Sequence, residues 1–214
     1  MDRKFRLVFL LDWEIKDSSE QMATLKDGMA AAIRVLKERG HEITFVVMGN
    51  WSGRFSHPYF MVNVCQTREE LKNLVQQIKP DCIVHWADLT RPNASIGREL
   101  GIRQILCFTG GNTQGGTIDN FDHILVESQV YYDTFKSQGR SVSFAFGTNT
   151  KLFDPERDVL KRQTKTIDVL NMSTFAQWKR HRLLARTFKN KQLNVVTCGY
   201  MYDDHEMDCW RDCQ

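Results

Sequence analysis

The chain has 214 residues, 42% of them apolar and 26% charged, with 29 basic against 26 acidic side chains and a net charge of +3. These proportions are those of a globular protein and exclude disordered and collagen-like chains. A charge so near zero, scattered along the chain, also excludes a nucleic-acid-binding balance.

The apolar run at residues 5–11 (FRLVFLL), bounded by charge, predicts a central strand covered on both faces. Met22, Leu25, Met29, Ile33 and Leu36 recur at helical spacing, and the segment closes on Arg39-Gly40, a basic last turn before a helix-stopping glycine. Residues 42–48 predict a second strand, and this β-α-β order implies parallel pairing. A short strand at 59–64 and a helix at 68–78 follow, the helix burying Leu71, Leu74, Val75 and Ile78 and broken at Pro80-Asp81. Strands are predicted at 82–86, 103–108, 123–126 and 142–146, with helices at 93–100 and 129–136 between them. Gly110-Gly111 and Gly115-Gly116 mark a turn-rich loop. A charge-rich connection at 154–165 precedes a restart of the pattern: strand 166–171, helix 179–188, strand 194–198. One doubly wound α/β domain and the opening of a second are expected.

No apolar run approaches the ~18 residues that span a bilayer, and MDRKFRLVFLLDWE has too short an apolar core for a signal peptide, so a cytoplasmic protein is expected. Its six cysteines then read as reduced thiols, mostly in the core. His205, Cys209 and Cys213 stand at four-residue spacing, but one helix face is a poor tetrahedral zinc cage, and neither a metal nor a bound cofactor is expected. Nucleophile-elbow and GxGxxG patterns do not occur.

Ligands of open parallel sheets sit beyond the carboxyl ends of the strands, so the loops there hold the candidate residues. After the first strand, Asp12, Trp13 and the acids and hydroxyls up to Ser19 suit either sugar hydroxyls or a capped helix entry. At the end of a buried strand, His85 and Trp86 offer a proton carrier and a stacking face, or else packing. Gly110, Gly111 and Asn112 let backbone approach a ligand, or form a turn, and lack the Lys-Ser/Thr ending of a phosphate loop. In the second domain, Ser173-Thr174 precedes Lys179, Arg180 and Arg182 at a helix start. Cations there oppose the helix dipole unless an anion is shared with the free N–H groups, which makes Lys179 the preferred diphosphate ligand.

Six segments in order carry a family resemblance: Arg39-Gly40-His41-Glu42-Ile43-Thr44, Lys79-Pro80-Asp81-Cys82-Ile83-Val84-His85, Leu100-Gly101-Ile102, Asp122-His123-Ile124-Leu125-Val126-Glu127-Ser128, residues 147–155 (GTNTKLFDP), and residues 178–184 (WKRHRLL). Along nearly its whole length the chain resembles the family-four glycosyltransferases of the GT-B fold. The resemblance implies an acceptor-binding, Rossmann-like domain at 1–153, a linker at 154–166, and from 167 to 214 the truncated start of a Rossmann-like domain for a nucleotide-sugar donor. It further implies sugar transfer, of the retaining kind, to a glycan, lipid or small-molecule acceptor; a lipid acceptor would entail peripheral membrane association. Lys179 falls on the family lysine that contacts the donor diphosphate, with Thr174 and Arg180 beside it, and Gly147 and Asn149 fall on the cleft side of the acceptor domain.

Departures accompany the resemblance. Thr174 stands at the family arginine, Ser173 and Arg180 at family glycines, Gly110 at a family histidine, and Asn149 at a common aspartate. The family's paired glutamates, E-x7-E, belong to donor-domain sequence beyond Gln214, so the 214 residues alone are expected to be inactive. The alternative reading is a non-catalytic Rossmann-like module that holds a glycan or another ligand.

Overall fold

The apolar N-terminal run becomes the middle of a sheet. In the computed structural model, which describes residues 3–15, 27–57, 60–145, 166–172 and 181–198, strand β1 (Arg6–Ile15) buries Val8 and Leu10 on one face and Phe9 and Leu11 on the other. The chain divides into two units, Met1–Phe153 and Asp154–Gln214.

In the first unit, helix α1 (Asp27–Glu38) leads to β2 (Glu42–Gly49), a hairpin of β3 (Gly53–His57) and β4 (Phe60–Cys65), helix α2 (Arg68–Ile78) and β5 (Cys82–Ala87). Helix α3 (Ile96–Leu100), β6 (Arg103–Phe108), a 3-10 turn (Ile118–Asn120), β7 (His123–Val126), α4 (Gln129–Ser137) and β8 (Val142–Phe144) complete it. The eight strands lie in the order β3-β4-β2-β1-β5-β6-β7-β8, parallel throughout except β3 against β4. The chain thus winds outward from β1 to β4, returns to β5 on the other side of β1, and winds outward again. That reversal makes the carboxyl ends of β1 and β5 the switch point, where open sheets form their crevice.

One face of the sheet packs Phe9, Leu11, Phe45, Val84 and Trp86 against Ile33 of α1. On the opposite face, Val8, Leu10 and Ile83 meet Leu71 and Val75 of α2, and Leu106, Phe108 and Val126 meet Phe135 of α4. Helices α2 and α4 begin where a hydroxyl satisfies a free backbone donor: the Thr67 side chain accepts from Glu70 N at 3.2 Å and Ser128 from Tyr131 N at 3.3 Å. Cys65 and Cys107 are buried free thiols and Cys82 is half-buried; burial pushes the thiols of Cys65 and Cys82 up to about 11 and that of Cys107 up to about 12, out of the reactive range.

The second unit holds a β-α-β element: β9 (Val169–Met172), α5 (His181–Phe188) and β10 (Val195–Cys198), the two strands parallel with Val195 opposite Val169. Helix α3 starts three residues later than the expected 93–100 and β8 stops at Phe144, short of the expected 146; two larger differences lie elsewhere. Strand β1 runs four residues further than predicted, and β3 is an unforeseen antiparallel strand, fixed by pairing to β4 rather than by any pattern of its own in GRFSH. The expected linker up to residue 165, and the first two residues of the expected helix at 179–188, lie outside the described residues.

A single polar side chain organises the second half of the sheet. Gln104, fully buried near the start of β6, accepts through Oε1 from Gly97 N at 2.9 Å and from His85 Nε2 at 2.8 Å. Its Nε2 donates to Ala94 O at 2.9 Å and Asn120 O at 2.8 Å. All four hydrogen-bonding positions of the amide are used, which is what makes its burial tolerable. Gly97 is the condition for this fit, because a Cβ there would stand 2.2 Å from Gln104 Cγ. Gly97→Ala is therefore expected to lose about 2–3 kcal/mol of stability, read as a lowered urea midpoint, and Gly101→Ser, which meets nothing within 4 Å but has φ +68°, is expected to lose less.

Candidate functional site

The crevice begins with an irregularity in β1. Leu11 pairs with Val47, but the next pair is Glu14 with Met48, so Asp12 and Trp13 form a two-residue bulge at the carboxyl end of the strand. The bulge sends Asp12 inward. Its carboxylate, only 3% exposed, accepts from Asn93 Nδ2 at 2.7 Å and from Asn93 N at 3.0 Å. Burial raises the Asp12 pKa, and the two Asn93 hydrogen bonds, then Arg91 and Arg68, partly oppose it. Asn93 Oδ1 in turn accepts from Arg68 Nη1 at 3.0 Å, and the same guanidinium reaches Pro92 O, Ser95 Oγ and Glu99 Oε1 at 2.8, 2.8 and 2.6 Å. A continuous polar chain from β1 through the β5 loop to α2 and α3 thus fixes one wall of the crevice.

Asp88, directly after β5, forms the next part of the wall. Its Oδ1 accepts from the Thr90 N–H and hydroxyl, and its Oδ2 pairs with Arg91 at 2.9 Å. Burial alone would raise its pKa; the Thr90 donors and Arg91 outweigh that and hold the carboxyl below its ordinary value, so Asp88 is ionised at neutral pH. Gly110 and Gly111, after β6, have φ of +112° and +104°, and a Cβ on Gly111 would lie 4.0 Å from Asp88 Cβ. The loop is pinned further along: the Thr117 hydroxyl donates to Leu89 O, and a Cβ on Gly115 would stand 2.5 Å from Leu89 Cβ. An ionised, partly exposed carboxylate beside a glycine pair, Gly110 half-buried and Gly111 exposed, can accept from hydroxyl groups and let a ring approach the backbone closely.

The structure separates the sequence candidates. Asp12 meets Asn93 with both oxygens instead of standing open to a sugar, and it lies within a strand rather than in a helix entry. His85 and Trp86 are turned into the two covered faces of the sheet, at 0% and 7% exposure, so neither offers its ring to the crevice. Strand alternation forces this, since both precede the end of β5. Asn112 folds onto its own loop, Oδ1 accepting from Gln114 N at 2.9 Å. The Trp13 side chain and all of Gly147, Asn149, Thr174, Lys179 and Arg180 lie outside the described residues. Sequence reasoning passed over Asn93 and Arg68 and gave Asp88, at the end of the His85-Trp86-Ala87-Asp88 loop, no role; the Pro92-Asn93 turn after a buried strand was the available signal for Asn93.

His85 is instead a core group. Gln104 Nε2 faces two carbonyls, so its Oε1 must face the imidazole, which fixes the proton on His85 Nε2. Nδ1 has no hydrogen-bond partner, and the ring stands edge-on to Phe121 at 5.2 Å. Burial pushes its pKa down from 6.5 to about 4, with the Gln104 bond opposing.

No family model matches the chain, and no curated protein matches it in sequence. Its fold recurs in solved structures: a glycosyltransferase from Rickettsia africae (TM-score 0.55, 9% identity, 99% of this chain and 64% of that one) and a putative UDP-N-acetylglucosamine 2-epimerase from Listeria monocytogenes (TM-score 0.57, 9% identity, 97% and 65%). A third is the E. coli trehalose-6-phosphate structure bound with UDP-2-fluoro glucose (TM-score 0.52, 10% identity, 97% and 68%). At such identities the likeness is one of fold, a mixed α/β architecture with a mostly parallel sheet of the Rossmann-like GT-B kind. The chain spans about two thirds of the length of these proteins.

Two outcomes are expected. Asn93→Ala removes the Nδ2 donor from a buried carboxylate and should cost about 1–3 kcal/mol at neutral pH, with a smaller loss in acid, where protonated Asp12 needs fewer donors; urea unfolding at two pH values reads both. For His85, the unfolded chain takes up a proton between pH 6.5 and about pH 4 that the folded chain refuses. Stability should therefore fall as pH drops through that window, by about 3 kcal/mol in all, and His85→Leu should remove this part of the acid slope while Gln104 Oε1 keeps Gly97 N.

Proposed function

We propose that the chain acts in sugar transfer from a nucleotide-sugar donor, as a GT-B glycosyltransferase of family-four character. In this reading the first unit receives the acceptor at the Asp88 and Gly110-Gly111 wall, and the second begins the donor site. The observation that carries it is the reversal of strand order at the carboxyl ends of β1 and β5, on a sheet whose fold is shared with a glycosyltransferase and with a protein bound to a UDP-sugar analogue. An ionised Asp88 suits a hydroxyl-rich acceptor, whose donors a carboxylate can accept without taking up a proton. Lys179 is assigned to the donor diphosphate, where its charge would stabilise the departing nucleotide as the glycosidic bond breaks. The retaining course follows from the family resemblance. No metal enters the scheme.

A second reading, a module that holds a sugar-containing ligand without chemistry, is favoured by His85. The one histidine expected to carry a proton at this crevice is neutral and walled into the core.

Calorimetric titration of the full chain with UDP and UDP-glucose tests both. Wild type is expected to bind UDP, and Lys179→Ala to weaken binding about tenfold or more, the value of one charge-assisted contact. Release of UDP from UDP-glucose in the presence of a hydroxylated acceptor supports transfer, binding with no release supports the holding module, and no UDP binding overturns the donor assignment.

A further inference from the structure

At the opposite, amino-terminal edge of the same sheet lies a cavity of about 600 Å³ that plays no part in the crevice. Its volume is that of a small-molecule site. The floor is apolar, made by Phe5 and Leu7 of the β1 end, Cys82 of β5 and Ile105 of β6, each half-buried. The charged groups on its rim differ in how far they are already used. Asp81 accepts from Arg6 N at 2.8 Å and pairs with Arg3 at 3.7 Å, and Arg3 also lies over the Phe5 ring, so this corner is internally neutralised. His123 is held by Ser141 and Ser143 through its two ring nitrogens.

Arg103 and Asp122 remain. Arg103 opens β6 and Asp122 directly precedes the adjacent β7; both line the one cavity, yet no ion pair joins them. The Arg103 guanidinium makes no hydrogen bond to a described residue, and the Asp122 carboxylate spends only Oδ2, on Gln104 N at 2.7 Å. A cation and an anion separated over an apolar floor are complementary to a molecule that carries the reverse pair on an apolar body. A lone anion would satisfy Arg103 and face Asp122, and a lone cation the converse.

We infer that this amino-edge cavity is a binding site for a small zwitterion with an apolar side chain, an apolar free amino acid being the type. The carboxylate of the ligand meets Arg103, its ammonium meets Asp122, and its side chain covers Leu7 and Ile105. Nothing in this inference depends on the donor or acceptor reading, since the cavity and the crevice occupy opposite edges of the sheet.

The test is titration of the ¹⁵N-labelled full chain with L-leucine, L-leucinamide and 4-methylpentanoate, following backbone amide shifts. Saturable shifts are expected at residues 5, 7, 82, 103, 105 and 122, with leucine binding about fivefold or more tighter than either singly charged analogue. Arg103→Gln should bring leucine down to the affinity of leucinamide. Asp122→Asn, which keeps an oxygen for Gln104 N, should bring it down to that of 4-methylpentanoate. Absence of saturable shifts, shifts located elsewhere, or equal affinity for all three compounds would overturn the inference. Both variants alter exposed side chains, and retention of the remaining amide spectrum verifies that they fold.

Discussion

The buried amide of Gln104 is the constraint on which the second half of the sheet depends. It stands at the second residue of β6, where alternation turns its side chain into an otherwise apolar layer, and an uncompensated amide there would cost several kcal/mol. Compensation comes from four groups belonging to β5, the turn before α3, the first turn of α3 and the 3-10 turn. Of these, β5 is held by its ladders to β1 and β6, but the segments around it are too short to position themselves; α3 has five residues and the 3-10 turn three. The amide supplies the fixed point they lack. Because a buried network is costly when only partly satisfied, the amide also selects one arrangement of these segments over others of similar apolar burial.

The carboxyl edge is set by a second polar chain, from Asp12 through Asn93 to Arg68 and Glu99. Its energetic character differs from that of Gln104. A buried carboxylate pays a desolvation penalty that two hydrogen bonds and two nearby guanidinium groups only partly offset, as the raised pKa of Asp12 records. The gain is geometric: the bulge in β1 and the loop after β5 cannot move independently while Asp12 and Asn93 hold one another. Asp88 and the glycine pair, which carry no such cross-sheet bond, are thereby presented from a rigid base.

Much of this architecture was legible in the sequence because it rests on local pattern. The apolar runs at β1, β2, β5 and β6, the spacing of Leu71 and Val75, and the glycines after α1 and α3 each report burial or a chain reversal directly. The direction of individual polar side chains was not legible in that way. Asp12 looked like a loop residue because the bulge that turns it inward is a mismatch between β1 and β2, a property of two segments rather than one. His85 looked like a site residue because it lies near a strand end, yet its fate is settled by Gln104 nineteen positions later and by one residue's difference in where β5 stops. Strand β3 escaped for the same reason: an antiparallel edge strand takes its conformation from its neighbour, and GRFSH has no alternation strong enough to announce it.

The same accounting bears on what the crevice can do. Of the polar groups near the switch point, Asp12, Asn93 and Arg68 are committed to one another, and His85 is committed to the core. What remains partly exposed is Asp88, its oxygens already met by Thr90 and Arg91, and backbone that only glycine can arrange, at φ of +112° and +104°. A surface of this kind can accept hydrogen bonds from hydroxyl groups, and its ionised carboxylate holds no proton to deliver. On the proposed reading, any electrostatic help to bond cleavage would have to come from groups outside this wall, and the charge of Lys179 and Arg180 in the sequence is the reason for assigning them to a diphosphate. Shared fold is compatible with that division of labour, since a glycosyltransferase and a 2-epimerase are both built on this architecture, and it is the side chains on the carboxyl edge that can differ between them.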